Sequence, residues 1–138
     1  MSKTTGGCLC GAIRYHLNAE PVTVAACHCK NCQKQTGTAY SIVAGVPTDS
    51  LVIESGEPKS YTVPGTSGMN TERKFCGDCG SPLYTDAKAI EGLLWLKGGT
   101  LDDTSTLEVN AEIWCDSKAG WASLDDSLPK FPGNPPVG

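Results

Sequence analysis

Apolar residues along this chain come in short bursts, often alternating with polar ones. "AIRYHLN" follows a glycine, and "VTVAAC", "AYSIVAGV", "SLVIESG", "KSYTV", "TERKFC", "SPLYTD", "LLWLKGG" and "NAEIWC" succeed it at short intervals. Turn residues punctuate them, as at Pro47-Thr48-Asp49, Pro64-Gly65 and Gly98-Gly99. Regular short strands separated by turn signals predict a mainly β fold of antiparallel sheets, a sandwich or a barrel. One stretch, "CKNCQKQTG", predicts a short helical turn ended by Gly37. No long segment carries a helical stripe, and neither a repeat nor a domain boundary shows, so residues 1–138 are expected to form a single domain. Residues 129–138 form a Pro/Gly-rich tail, expected to run extended over the surface.

Composition narrows the class. Of 138 residues, 39% are hydrophobic and 19% charged, which is globular. The opening "MSKTTGG" has no apolar core of a secretory signal. The longest apolar runs, "IEGLLWLKGG" and "YSIVAGV", fall far short of the roughly 20 residues that span a bilayer. The expectation is a soluble, cytoplasmic protein with no membrane partner. The formal charge is −4 and the basic residues are scattered, the densest pair being Arg73-Lys74. A nucleic-acid partner needs a basic face, so none is expected.

The cysteines change the picture. Eight of them are too few for a disulfide scaffold and, in a reducing compartment, read as metal ligands or redox groups. Seven fall in three clusters: Cys8 and Cys10 in "GGCLCG", Cys27, Cys29 and Cys32 in "CHCKNC", and Cys76 and Cys79 in "FCGDCG". The thioredoxin-type dithiol sits in a βαβ context that this pattern lacks, which favours metal. "FCGDCG" is a half-site of two ligands on a tight turn. A structural zinc takes four, and "GGCLCG" is the natural second half, its cysteines on one face if the run is a strand. Cys27, Cys29 and Cys32 remain. Three thiolates can hold a zinc and leave a fourth position open, as catalytic sites do. Alternatively His28, His16 or Cys115 closes that site structurally. His28 lies between two ligands, where chelate strain favours a bystander or supporting donor. Cys115, after Trp114 in a strand-like run, reads as a small buried thiol.

These residues together resemble the glutathione-dependent formaldehyde-activating enzyme family, which includes centromere protein V. The matching stretches are "GGCLCGAIRY", "CHCKNCQKQTG", "FCGDCGSPLY" and "EIWCDSKAGW", over about Gly6 to Phe131. The resemblance implies a β-rich fold called Mss4-like, or β-tent. It implies two Zn²⁺ per chain: a structural one at Cys8, Cys10, Cys76 and Cys79, and a catalytic one at Cys27, Cys29 and Cys32. It implies a carbon–sulfur lyase-type reaction joining a thiol, glutathione, to formaldehyde or a related small aldehyde. Two other readings stand beside it. One is a zinc-stabilised binding module of the same fold, with a closed second site. The other is a relative of methionine sulfoxide reductases using Cys115, whose neighbour Asp116 would hinder it.

Glutathione carries two carboxylates and an ammonium, so its pocket needs cations or N–H donors. Lys30, Lys34, Arg73 and Lys74 lie near the clusters and are candidates. Gln33, Gln35 and Thr36 offer hydrogen bonds or simply finish the helix. Trp95, Trp114 and Trp121 read as core or rim residues.

Overall fold

The short apolar runs become strands, and the alternation within them sorts side chains between two faces. The computed structural model describes residues 4–64 and 68–134, and among these the chain is mainly β. A three-stranded sheet has the order β1-β2-β5, where β1 is Thr4–Gly7, β2 Arg14–Leu17 and β5 Leu51–Ser55. A seven-stranded sheet has the order β10-β3-β4-β9-β8-β7-β6. Its strands are β3 Thr23–Cys27, β4 Ser41–Pro47, β6 Lys59–Pro64, β7 Asn70–Phe75, β8 Pro82–Ala87, β9 Leu93–Lys97 and β10 Ala111–Ile113. The helical turn is α1, Lys30–Thr36, closed by Gly37 at φ 70°. Among the described residues no helix is long and apolar enough to cross a membrane.

Two departures from the expected pattern stand out. β1 is "TTGG", with no apolar alternation to announce it. It forms because Gly6 packs against Tyr15, where a Cβ would come within 2.3 Å of the phenol oxygen. Second, the sheets are not wholly antiparallel: β10 pairs parallel with β3, Ile113 opposite Cys27. Such a pairing joins segments distant in sequence and leaves no local signal.

Side-chain parity on the large sheet places the core on one face and the site on the other. Val24, Ala44, Val46, Leu94 and Leu96 point toward the small sheet and pack with Tyr15, Leu17 and Leu101. Ala25, Cys27, Val43, Trp95, Ala111 and Ile113 point the opposite way and pack with Cys32 of α1. A third cluster, Cys8, Ile13, Cys76 and Leu83, lies where the two sheets' ends meet. Of the tail, residues 135–138 lie outside the described residues. The rest is strapped to β10: Glu112 N donates to Pro129 O and Phe131 N to Glu112 O, each at 2.9 Å. The tail thus covers what would otherwise be a bare sheet edge.

Candidate functional site

The seven clustered cysteines form two sulfur groups. Cys8, Cys10, Cys76 and Cys79 gather with all ligand atoms within 4.8 Å of one another, and so do Cys27, Cys29 and Cys32. Among the described residues neither His28, His16 nor Cys115 joins either group.

The four-sulfur group is made by two matching turns. "GGCLCG" is not a strand here, because β1 stops at Gly7. The chain turns instead, with Gly11 N donating to Cys8 O at 3.1 Å. In "FCGDCG", Gly80 N donates to Cys76 O at 2.8 Å, and Gly80 takes φ 80°, where a side chain would strain the turn. Backbone amides aim at the sulfurs: Ile13 N at Cys8 Sγ (3.3 Å) and Asp78 N at Cys76 Sγ (3.4 Å). Leu9 N donates to Ser81 Oγ at 3.0 Å and so ties one turn to the other.

The three-sulfur group sits at the end of β3 and the start of α1. Cys29 caps the helix, its sulfur accepting from Cys32 N at 3.2 Å. Cys27 and Cys32 are buried and Cys29 is half-buried. Two buried cations stand over them. Arg73 Nη1 is 3.7 Å from Cys32 Sγ and Nη2 is 4.0 Å from Cys29 Sγ, while Nη1 also donates to Gln35 Oε1 at 2.8 Å. Lys97 Nζ donates to Ser41 Oγ at 3.0 Å. Burial pushes Lys97 below its ordinary pKa, and the nearby Cys32 and Cys27 oppose that. The three thiols titrate as a unit. Hydrogen bonds from Cys27 and Cys29, helped by Lys97 and Arg73, hold Cys32 far below its usual range. Cys29, Cys32 and burial push Cys27 far above it. One thiolate is comfortable here unaided, and three require a cation among them.

Both groups fit zinc. A tetrahedral ion with Zn–S of about 2.3 Å separates its sulfurs by about 3.8 Å. The spacings are 3.7 Å for Cys8–Cys10, 3.8 Å for Cys10–Cys76 and 3.5 Å for Cys27–Cys32. All are far longer than a disulfide, and the cysteines are free. An all-sulfur donor set selects zinc over hard cations.

A cavity of about 290 Å³ opens onto the three-sulfur group. Its walls are largely apolar, with Val43, Val63, Ala87, Ile90, Trp95 and Ile113 among them. Among the described residues its charged ones, cysteines aside, are Lys30 and Arg73, and no carboxylate lines it. None of the four cysteines of the other group lines it either. Trp114, on the wall, holds φ 57° and ψ 39° and donates from Nε1 to Asn134 Oδ1 at 3.0 Å. Among the described residues it is the one non-glycine at positive φ, and such strain gathers at sites.

The remaining candidates separate cleanly. Lys34 is exposed and away from the cavity lining. Lys74 points to the other face of β7 and pairs with Glu72 at 3.3 Å. Gln33 Nε2 donates to His28 O (2.7 Å) and Ser117 O (3.0 Å), bracing the cysteine loop. Thr36 Oγ1 closes the helix on Cys32 O at 2.8 Å. Trp95 is buried on the cavity wall, whereas Trp121 is 78% exposed and belongs to neither core nor cavity rim. Cys115 is not a buried strand thiol: it starts a half-buried 3-10 turn, because the Trp114 backbone breaks the strand. His16 pairs with Glu54 on the small sheet at 2.6 Å.

His28 is fully buried, and its Nε2 lies 2.8 Å from Glu112 Oε1. Lys118 Nζ approaches the same oxygen at 3.4 Å and Lys130 Nζ approaches Oε2 at 3.2 Å. Burial pushes Glu112 up, but His28, Lys130 and Lys118 outweigh it and hold the carboxyl below its ordinary range. Sequence reading missed Glu112 and Lys97. A lone charge inside "AEI" and "LLWLK" was the available signal, and period-2 alternation puts Lys97 on the face of Trp95.

The glutathione-dependent formaldehyde-activating enzyme family matches residues 3–117 of the chain. A Phaeosphaeria nodorum protein provisionally named as such an enzyme is 34% identical over 59 residues, covering 43% of this chain and 30% of that protein. A Penicillium rubens protein with the same provisional name is 30% identical over 77 residues, covering 56% and 39%. The matched segment thus spans well under half the length of these relatives. The crystal structure of a Rhodobacter sphaeroides protein shares the fold, with TM-score 0.60 and 20% identity over 76% of this chain and 96% of that one.

Proposed function

This chain belongs to the glutathione-dependent formaldehyde-activating enzyme family, and from that premise we propose that it is a zinc-dependent enzyme of carbon–sulfur lyase type. It adds a thiol, glutathione, to formaldehyde or a related small aldehyde, or runs that addition backwards, as a single cytoplasmic domain over residues 1–138. Cys8, Cys10, Cys76 and Cys79 hold a structural zinc, and Cys27, Cys29 and Cys32 hold a second with one position left for substrate. That second ion, when bound, supplies a Lewis acid that favours the ionised form of the thiol.

The chain's own residues supply the rest. Val43, Trp95 and Ile113 cluster with Cys27 and Cys32 and give the cavity an apolar wall beside the sulfurs. Arg73 and Lys30 offer the cations that an anionic tripeptide requires. The addition forms a carbon–sulfur bond, moves the carbonyl π pair to oxygen, and returns the thiol's proton to that oxygen through solvent. Nothing is oxidised or reduced. Holding thiol and carbonyl together in the cavity provides the proximity that the reaction gains from.

The observation that carries this reading is the contrast in sulfur number: four where no part of the cavity reaches, three where it opens. The test is zinc content with glutathione titration by calorimetry and zinc-edge X-ray absorption. Two zinc ions per chain, one sulfur added on titration, and faster S-hydroxymethylglutathione formation support it. An unchanged zinc shell with no glutathione binding sinks it.

A further inference from the structure

Arg73 and Lys97 are 8% and 5% exposed, yet neither pairs with a carboxylate among the described residues. Burying such charges without a counter-charge is costly. What they face is the three-sulfur group. The register explains how. Arg73 lies opposite Thr85, which lies opposite Trp95, and Lys97 lies opposite Val43. All project from the sheet face that carries Cys27, so two cations from separate strands converge on one cluster.

The charges can be counted. Three thiolates around a zinc ion leave one negative charge. Arg73 and Lys97 bring two positive ones. Among the buried groups the surplus is a single positive charge, and no described carboxylate lines the cavity; Lys30, which also lines it, is exposed and screened by solvent. The one buried acid among the described residues, Glu112, is on the opposite face of β10 and already meets Lys118 and Lys130. A water molecule or a histidine in the open position leaves the surplus standing. An anion removes it.

We propose that Arg73 and Lys97 are the specificity-determining pair of this site: they match its charge to an anionic sulfur ligand and so select a thiolate over neutral donors for the open zinc position. The inference rests on the proposed thiol chemistry and assigns residues to its selectivity. The thiol's proton leaves to solvent as the sulfur binds, so the buried charge falls by one and reaches neutrality. Arg73 is held for this task by Gln35 and Lys97 by Ser41, which fixes both cations before any ligand arrives.

The experiment uses 2-mercaptoethanol, an uncharged thiol, so that carboxylate contacts with Arg73 play no part. Binding to the two-zinc protein is followed by calorimetry in buffers of different ionisation enthalpy, and to the cobalt(II)-substituted protein by sulfur-to-metal charge-transfer absorption. Wild type is expected to add one sulfur and release one proton, and to take no imidazole. Lys97→Met and Arg73→Gln are each expected to weaken thiol binding roughly tenfold to hundredfold, with metal content and circular dichroism unchanged. Lys97→Arg is expected to restore most of the affinity. Variants that bind the thiol as tightly as wild type overturn the proposal and leave thiol chemistry standing. A wild type that takes no thiol at all overturns the functional reading beneath it. If Lys97→Met does not fold, Arg73→Gln and the imidazole comparison decide, and tight imidazole binding by wild type overturns charge selection.

Discussion

The two sulfur groups solve opposite problems with the same atom. The four-sulfur group joins turns that lie far apart in sequence, on the rim where the sheets meet, with Cys10 exposed. Two of its sulfurs accept backbone amides, and it brings four sulfurs together. The three-sulfur group comes from six consecutive positions, is mostly buried, and borrows its counter-charges from β7 and β9. On the proposed reading, an ion in the four-sulfur group would substitute for missing core. An ion in the three-sulfur group, on the same reading, would be held by a local chelator in a surrounding that the rest of the fold tunes.

The sharpest break of this comparison is Cys79→Ala. Binding at the four-sulfur group contributes folding free energy, so its loss is expected to lower Tm by roughly 10–20 °C, read by scanning calorimetry. Cys29→Ala is expected to leave one zinc per chain and Tm within roughly 5 °C of wild type, while thiol–formaldehyde addition falls to its uncatalysed rate. If that variant unfolds as readily as Cys79→Ala, the division of labour is wrong. Glu112→Gln sharpens the comparison from a third place. It leaves Lys118 and Lys130 without their buried partner and is expected to cost about 2–3 kcal/mol in urea unfolding, with both zinc ions retained.

The smallest effect concerns Asp102, which Arg14 grips through both guanidinium nitrogens and Thr5 Oγ1 through a 2.7 Å hydrogen bond. Those contacts hold its pKa down to about 2, from an ordinary 3.8. A carboxyl lowered on folding stabilises above its unfolded pKa and loses that contribution as pH falls through the folded one. Asp102→Asn is therefore expected to be slightly less stable than wild type at neutral pH, the difference closing as pH falls through about 2. The pair is exposed, so the difference is small.

Much of this was legible because β-alternation and cysteine spacing are local. All nine expected strand runs appear, and α1 ends at the expected Gly37. The sulfurs gather in two groups, Cys8 with Cys10, Cys76 and Cys79, and Cys27 with Cys29 and Cys32. What stayed hidden depends on non-local contact. β1 exists because Tyr15 needs a glycine beside it, and β10 turns parallel because β3 offers a free edge. Arg73 and Lys74 are neighbours in sequence with equal claims, and only strand parity sends one into the cavity and the other to Glu72. Lys97 ends an apolar strand, and its partner sulfurs lie on β3 and α1, which no spacing rule connects to it.

The parallel pairing of β10 on β3 has a consequence for synthesis. The three-cysteine chelator is complete once Cys32 has been made, whereas the four-cysteine set waits for Cys79 and the cavity wall for Ile113 and Trp114. At roughly 5–20 residues per second, that delay runs to several seconds. During it the three thiols exist without roof or counter-charge, and the sulfur group that ends up the more deeply buried is the first that the nascent chain completes.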